Sequence, residues 1–244
     1  MPKAMPQIIA SGGGSFAADP ENPAQELYML AQARTRNPSV CFIATATGDS
    51  AQYVAKFYAA FSKLRCQPSH FPMFERTPDP RTLLDYDVIY VGGGNTKSML
   101  AAWRDWELPK YLRQAYTGGA VLAGVSAGAI CWFETGVTDS WAGSLRPMRC
   151  LGWLPAACCP HYDGEKDRRS TTQDLVALGL LPETLALDDG AAAHFIGGKL
   201  HRIVSSHPSA GAYRIGRIGA RGSARFVESS LPVARLGVDG RIHK

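Results

Sequence analysis

The chain has 244 residues, of which 45% are hydrophobic and 19% charged, and its formal net charge is +5. This size and composition are typical of a globular α/β protein that buries its core without disulfide bridges. Its basic residues are scattered and form no stripe interleaved with aromatic residues, which argues against a nucleic-acid-binding protein.

The six cysteines are expected to be free thiols. Cys41 and Cys131 lie within apolar runs, and Cys158 and Cys159 are adjacent, as small buried side chains often are. No spacing of cysteine and histidine suggests a metal site, so neither a metal nor another cofactor is predicted. The N-terminus lacks the apolar segment of a secretion signal, and no apolar run reaches the ~18 residues of a membrane helix. We therefore expect a reduced, cytoplasmic protein without membrane contact.

Predicted strands and helices alternate through the first half of the chain. The strands cover 7–10, 40–46, 70–74, 87–91 and 120–125, and the helices cover 23–34, 51–64, 97–103 and 108–116. This order predicts a mostly parallel sheet with helices on both faces. No linker or internal repeat divides the chain, so one domain over 1–244 is expected.

Two glycine-rich loops follow predicted strands. Residues 11–15 lack the spacing of a dinucleotide-binding or P-loop motif, and we interpret them as a place where backbones approach closely. Residues 92–96 lie one strand–helix unit before the strand 120–125, at the sheet edge where sites collect in open α/β folds. Their backbone N–H groups are therefore expected to face the end of that strand.

The most informative stretch is the G-x-S-x-G pattern of residues 124–128, between the strand 120–125 and a predicted helix over 127–133. In a nucleophile elbow, the glycines permit a sharp turn that presents the serine hydroxyl at the end of a sheet. The N–H of Ala127, at the helix start, is placed to stabilise an oxyanion. A plain glycine-rich turn has the same pattern, but the preceding strand and following helix favour a nucleophile at Ser126.

The second half of the chain is less regular. Residues 134–155 are expected to form a long irregular segment of the kind that covers active sites. A strand within 156–164 is expected to deliver His161, a helix to span 167–178, and a strand within 185–190 to end at two aspartates. Short strands and turns over 192–241 predict an antiparallel β annex.

Ser126, His161 and Asp189 thus follow three predicted strands, and these residue types can form a catalytic triad. A serine nucleophile needs a base for its proton, and the base needs a carboxylate that fixes its tautomer. His161 is the best candidate base because it follows an apolar run. For the acid, Asp139 and, more weakly, Glu134 compete with Asp189, and the residues alone do not decide between them.

Four motifs, at 91–96, 124–129, 160–165 and 188–190, resemble in order those of the peptidase E family. These aspartyl dipeptidases are serine peptidases related to the cyanophycinases, and the resemblance spans about residues 7–213. It implies a three-layer sandwich similar to class I glutamine amidotransferases, with a serine replacing their cysteine. It also implies a Ser126–His161–Asp189 triad, in a chain order that α/β-hydrolases do not have. In the family, the third residue of the triad resembles a glutamate, and Asp189 stands at the matching position here. Asp139 resembles an aspartate that the family carries after the elbow, so it stays a second candidate for the acid.

The resemblance also implies an oxyanion hole and a substrate. The N–H groups of Gly94 and Ala127 would form the oxyanion hole, and Asn95 is a predicted substrate contact. An Asp-X dipeptide needs a cation for its acidic side chain, and Arg168 and Arg169 are the candidates, although a solvated surface run explains them equally well. The expected function is a serine peptidase for short peptides such as Asp-X dipeptides, and the resemblance implies a homodimer, since family members often dimerise. A cyanophycinase-like hydrolase and a non-catalytic binding protein are the alternatives.

Overall fold

The computed structural model describes residues 5–219 and 225–243, which form two β-sheets and six α-helices. The strands are β1 (Gln7–Ser11), β2 (Ser39–Ile43), β3 (Gln67–His70), β4 (Val88–Val91), β5 (Val121–Val125), β6 (Phe133–Thr138), β7 (Arg146–Arg149), β8 (Leu154–Cys159), β9 (Thr184–Leu187), β10 (Ala191–Ile196), β11 (Lys199–Ser205), β12 (Ala212–Ile218), β13 (Arg225–Ser230) and β14 (Val233–Arg235). The helices are α1 (Ala24–Leu30), α2 (Ala51–Phe61), α3 (Thr96–Asp105), α4 (Leu108–Gly118), α5 (Ala127–Ile130) and α6 (Arg168–Ala177), and 3-10 helices cover Thr45–Thr47 and Pro80–Asp85.

The first sheet has eight strands in the order β14-β11-β10-β1-β5-β4-β2-β3. Its strands β1, β5, β4, β2 and β3 are parallel, as the alternation of strands and helices predicts. In the ladder between β1 and β5, Ser11 is paired with Val125. The residues that follow these two strands therefore lie side by side at one edge of the sheet.

The second sheet has six strands in the order β13-β12-β9-β8-β6-β7. Its central strands β6, β8 and β9 are parallel, so the segments that follow Thr138, Cys159 and Leu187 share one edge. The expectation of an irregular segment over 134–155 is wrong, because β6, β7 and the start of β8 lie there. The helix predicted over 127–133 ends at Ile130, since a buried apolar run looks alike in a short helix and in a strand.

The C-terminal strands are mostly antiparallel, as predicted, but they complete both sheets instead of forming a separate unit. Strands β10, β11 and β14 extend the first sheet, and β12 and β13 extend the second. Among the other elements, β3 lies before its predicted position at 70–74, with Pro68 tolerated on this edge strand. Helices α1 and α2 end at Leu30 and Phe61, before the predicted ends at 34 and 64.

Helices and apolar layers cover both faces of the first sheet, which confirms the mixed α/β class. On one face, α1 and α2 pack over an aromatic cluster in which the rings of Phe42 and Phe57 stack with their centroids 4.6 Å apart. On the other face, α3, α4 and α5 bury Trp103 and Trp132 with the inner side of the second sheet. All six cysteines are free thiols, and five of them are buried. No helix in residues 5–219 and 225–243 has the length and hydropathy that crossing a membrane requires.

A carboxyl group is buried beneath the loop that follows β1. Glu26 of α1 is 2% exposed, and its Oε1 accepts the N–H of Phe16 at 2.8 Å. Its Oε2 has no hydrogen-bond partner in the part of the chain that the structure describes. Burial raises the pKa of Glu26 from its ordinary 4.5 to about 7, against the lowering effect of the Phe16 N–H.

The raised pKa of Glu26 predicts that the contribution of this residue to the free energy of unfolding falls as the pH rises. Between about pH 4.5 and 7 the folded chain keeps a proton that the unfolded chain has released, so the stability present below pH 4.5 is lost through this window. We expect Glu26→Gln to reduce the difference in unfolding free energy between pH 5 and pH 8 by up to about 3 kcal/mol, at 1.36 kcal/mol per pKa unit. Urea denaturation of both proteins at the two pH values measures it. The same pH dependence in the variant would contradict the prediction.

Candidate active site

Ser126 occupies a strained turn between β5 and α5. Its backbone has φ 55° and ψ −113°, a conformation that residues other than glycine rarely adopt. The turn is held on both sides: the Ser126 N–H donates to Ser11 O at 3.1 Å, and its carbonyl accepts the N–H groups of Ala129 and Ile130 at 2.9 and 3.0 Å. Ser126 thus has the backbone geometry of a nucleophile elbow.

The two glycines of the elbow serve close packing rather than an unusual backbone conformation. Neither has a positive φ. A Cβ on Gly124 would lie 2.3 Å from Gly128 O, and one on Gly128 would lie 2.1 Å from Val91 O. Small residues are therefore required because α5 lies directly against β4 and β5, and the strain itself resides at Ser126.

His161 and Asp189 form a hydrogen-bonded pair at the shared edge of the second sheet. They follow β8 and β9, and His161 Nδ1 lies 2.6 Å from Asp189 Oδ1. The Asp189 N–H in turn donates to Asp163 Oδ1 at 2.9 Å. A carboxylate opposite Nδ1 favours the tautomer that carries its proton there and leaves Nε2 free to accept another. Asp139, which follows β6, lies instead 3.9 Å from Arg168 Nη2.

The end of β1 and the loop that follows it connect the two sheets at this point. The successive carbonyls of residues 11–13 accept backbone N–H groups from all three segments that carry the predicted triad. Ser11 O accepts from Ser126, Gly12 O from His161 at 3.2 Å, and Gly13 O from Gly190 at 3.0 Å.

Gly13 also lies against the side chains of the His161–Asp189 pair. A Cβ at this position would be 1.9 Å from Asp189 Oδ1 and 2.7 Å from His161 Nδ1. The sequence indicated only a close backbone approach for residues 11–15 and missed this contact with the site. The signal that could have revealed it is the run of glycines directly after the first strand.

The glycine-rich loop after β4 lies beside Ser126, as predicted. A Cβ on Gly93 would be 3.2 Å from Ser126 Cβ, and Gly94 has φ 132°, a conformation that favours glycine. The N–H groups of Gly94 and Ala127 have no hydrogen-bond acceptor among the described residues. Two unused donors on the two segments next to the serine suit an oxyanion hole.

Asn95 holds this loop in place. Its Oδ1 accepts the N–H of Ser98 at 2.9 Å and caps α3, and its Nδ2 donates to Ser140 O at 3.1 Å. Both ends of the amide are thus hydrogen-bonded within the chain, so the structure gives Asn95 a structural role. Its contact with the substrate stays a prediction.

The two arginines at the start of α6 both have carboxylate partners. Arg168 is buried, its Nε donates to Glu165 Oε2 at 2.7 Å, and its Nη2 contacts the same oxygen. Arg169 pairs with Glu228 of β13, and its guanidinium lies about 5 Å from the rings of Tyr162 and Tyr213. Arg169 therefore anchors β13 to α6 and packs on Tyr162, whereas Arg168 pairs with Glu165 in the turn that follows His161.

Known proteins resemble this chain in sequence and in fold. Residues 8–203 match the profile of Peptidase family S51. An uncharacterized peptidase of Bacillus subtilis (strain 168), YgaJ, is 47% identical over 235 residues, which are 96% of this chain and 100% of the relative. The crystal structure of a peptidase from an acI-B1 actinobacterium superposes with a TM-score of 0.66 at 15% identity, over 94% of this chain and 98% of that one. A putative peptidase E from Listeria monocytogenes EGD-e gives a TM-score of 0.62 at 19% identity, over 84% and 100%.

Proposed function

The chain belongs to peptidase family S51 and is a serine-type peptidase, and we propose that it hydrolyses short peptides through a Ser126–His161–Asp189 triad. The observation that supports the proposal most strongly is the set of backbone hydrogen bonds made by residues 11–13, at the end of β1. Their consecutive carbonyls accept the N–H groups of Ser126, of His161 and of Gly190, the residue after Asp189.

The proposed reaction proceeds through an acyl-enzyme. Ser126 Oγ attacks the peptide carbonyl while His161 Nε2 accepts its proton, and Asp189 stabilises the resulting imidazolium. The N–H groups of Gly94 and Ala127 stabilise the negative oxygen of the tetrahedral intermediate. When the C–N bond breaks, the proton on His161 passes to the departing amine. A water molecule, deprotonated by His161, then attacks the ester and releases the carboxylic acid and Ser126.

Asp189, rather than Asp139, is the proposed acid of the triad. We expect Asp189→Asn to lower kcat by about 10⁴, because an amide opposite Nδ1 stabilises the wrong tautomer of His161. Asp139→Asn is expected to lower kcat far less, since Asp139 lies against Arg168 and not against the imidazole. Steady-state kinetics of both variants, with folding checked by circular dichroism, distinguish the candidates. An equal or larger loss in Asp139→Asn would assign the role to Asp139.

An Asp-X dipeptide is the proposed substrate. Its acidic side chain needs a cation shielded from water, and the buried guanidinium of Arg168 supplies one next to the His161 segment. The test is a panel of Asp-Leu, Ala-Leu and a longer peptide that begins with aspartate. We expect cleavage of Asp-Leu above the other two, and its loss after treatment with a fluorophosphonate. Absence of any serine-dependent cleavage would contradict the proposal.

A cyanophycinase-like activity is the second candidate, and two exposed carboxylates favour it. The side chains of Asp139 and Glu165 are 67% and 43% exposed beside Arg168, where they could receive the arginine side chains of a polymer with an aspartate backbone. Release of β-Asp-Arg from that polymer, at a rate above the cleavage of Asp-Leu, would favour this candidate.

A further inference from the structure

The guanidinium of Arg168 is already occupied by a carboxylate of its own chain. The Arg168 side chain is only 3% exposed, while Glu165, which contacts its Nε and Nη2, is 43% exposed. On its other side, Nη1 donates to Val137 O at 3.4 Å. These contacts leave Glu165 between the solvent and the charged edge that would recognise an acidic side chain.

Glu165 is fixed to the proposed catalytic machinery by its backbone but not by its side chain. The Glu165 N–H donates to His161 O at 3.3 Å, and a Cβ on the preceding Gly164 would lie 2.5 Å from Asp189 Oδ2. The backbone of this turn is therefore packed against the His161–Asp189 pair. The half-exposed carboxylate of Glu165, by contrast, can turn away from Arg168 by rotation about its side-chain bonds.

The Arg168–Glu165 pair also lies beside residues 139–140, which contact the loop next to Ser126. Asp139 Oδ2 is 3.9 Å from Arg168 Nη2. The carbonyl of the next residue, Ser140, accepts a hydrogen bond from Nδ2 of Asn95, in the loop beside Ser126. The pair is therefore connected to His161 through the Glu165 N–H, and through residues 139–140 to the loop beside Ser126.

We propose that Glu165 is a specificity-determining residue that competes with the acidic side chain of the substrate for Arg168. The inference rests on the proposed peptidase function and adds a residue to it. A guanidinium offers its Nε and Nη2 as one fork, which a single carboxylate fills. An acidic side chain binds at this fork only when Glu165 leaves it, so the free enzyme discriminates weakly between an aspartate and its neutral isostere, asparagine.

The test compares Asp-Leu with Asn-Leu, which differ only in the charged group. In Glu165→Gln we expect the ratio of kcat/KM for Asp-Leu over Asn-Leu to rise on the order of tenfold, the worth of one charge-assisted hydrogen bond. The change should appear mainly as a lower KM for Asp-Leu, because the chemical step is untouched. The matched control is Glu183→Gln, which removes a carboxylate from the exposed pair with Arg214 and should leave the ratio unchanged.

A binding measurement separates this inference from the proposed function. Calorimetry with Ser126→Ala, with and without Glu165→Gln, gives the affinities for both dipeptides without cleavage. If neither dipeptide is cleaved by the wild type but the affinity ratio rises, the peptidase proposal fails and the role of Glu165 stands. The role of Glu165 would be overturned by an unchanged ratio of the affinities for Asp-Leu and Asn-Leu. Weaker binding of Asp-Leu in the Glu165→Gln variant, or no binding of either dipeptide, would overturn it as well. Thermal unfolding of each variant checks that its fold is intact.

Discussion

Ser126→Ala is expected to lower kcat for the best peptide substrate by a factor on the order of 10⁴ or more, and His161→Ala by a similar factor. The hydroxyl is the proposed nucleophile, and without the imidazole it keeps its proton during the attack. Kinetics with freshly purified variants measure both losses. Ser229→Ala, a change of an exposed serine on β13, is the matched control and should keep the wild-type kcat.

The double variant gives the stronger test of the proposed partnership. Because a nucleophile and its base act as one unit, removing both should lower kcat little more than removing either alone. If the losses multiply instead, Ser126 and His161 act independently and the proposed triad is wrong. Fluorophosphonate labelling should disappear in Ser126→Ala and become much slower in His161→Ala.

The five parallel strands of the first sheet were predictable because the sequence pattern that forms each of them is local. Each parallel strand is a short apolar run followed by a helix or a glycine-rich loop, and the elbow at Ser126 reads directly from five consecutive residues. The resemblance to the peptidase E family, which rests on four motifs, is confirmed by the family profile and by the relative at 47% identity. A mixed α/β fold follows from the same pattern, and the structural neighbours share it.

The division into two sheets was not predictable, because it depends on pairings between distant strands. The apolar run that becomes β8 would fit the first sheet as well as the second, and only its pairing with β6 and β9 decides. The choice between Asp189 and Asp139 depends on the same pairings. In the second sheet β8 lies between β6 and β9, and His161 meets the carboxylate after β9 rather than the one after β6.

The carboxylate partners of Arg168 and Arg169 were not predicted for a similar reason. The partner of Arg169, Glu228, is 59 residues away in sequence, on a strand whose place beside α6 no local pattern indicates. Glu165 is only three residues from Arg168, a spacing at which oppositely charged side chains commonly pair on a helical turn. That spacing was the available signal that Arg168 is not a free cation.

Gly13→Ala, a substitution in the loop after β1, is expected to lower the activity strongly. The added methyl group would lie 1.9 Å from Asp189 Oδ1 and 2.7 Å from His161 Nδ1, so the two side chains must separate. Gly13 does not have a positive φ, so alanine suits its backbone conformation, and the closest atom is the end of a side chain that can move. We therefore expect a near-native melting temperature together with a large loss of activity.

The expected loss of kcat in Gly13→Ala is on the order of 10² or more, since a displacement of about 1 Å in a catalytic group has this effect. Gly118→Ala, where no atom lies within 4 Å of the added methyl group, is the matched control and should retain full activity. If Gly13 acts through the His161–Asp189 pair, Gly13→Ala should lower kcat much less when Asp189→Asn is already present. An undiminished effect in that background would place its action elsewhere, and a wild-type kcat in the single variant would show that the pair tolerates separation.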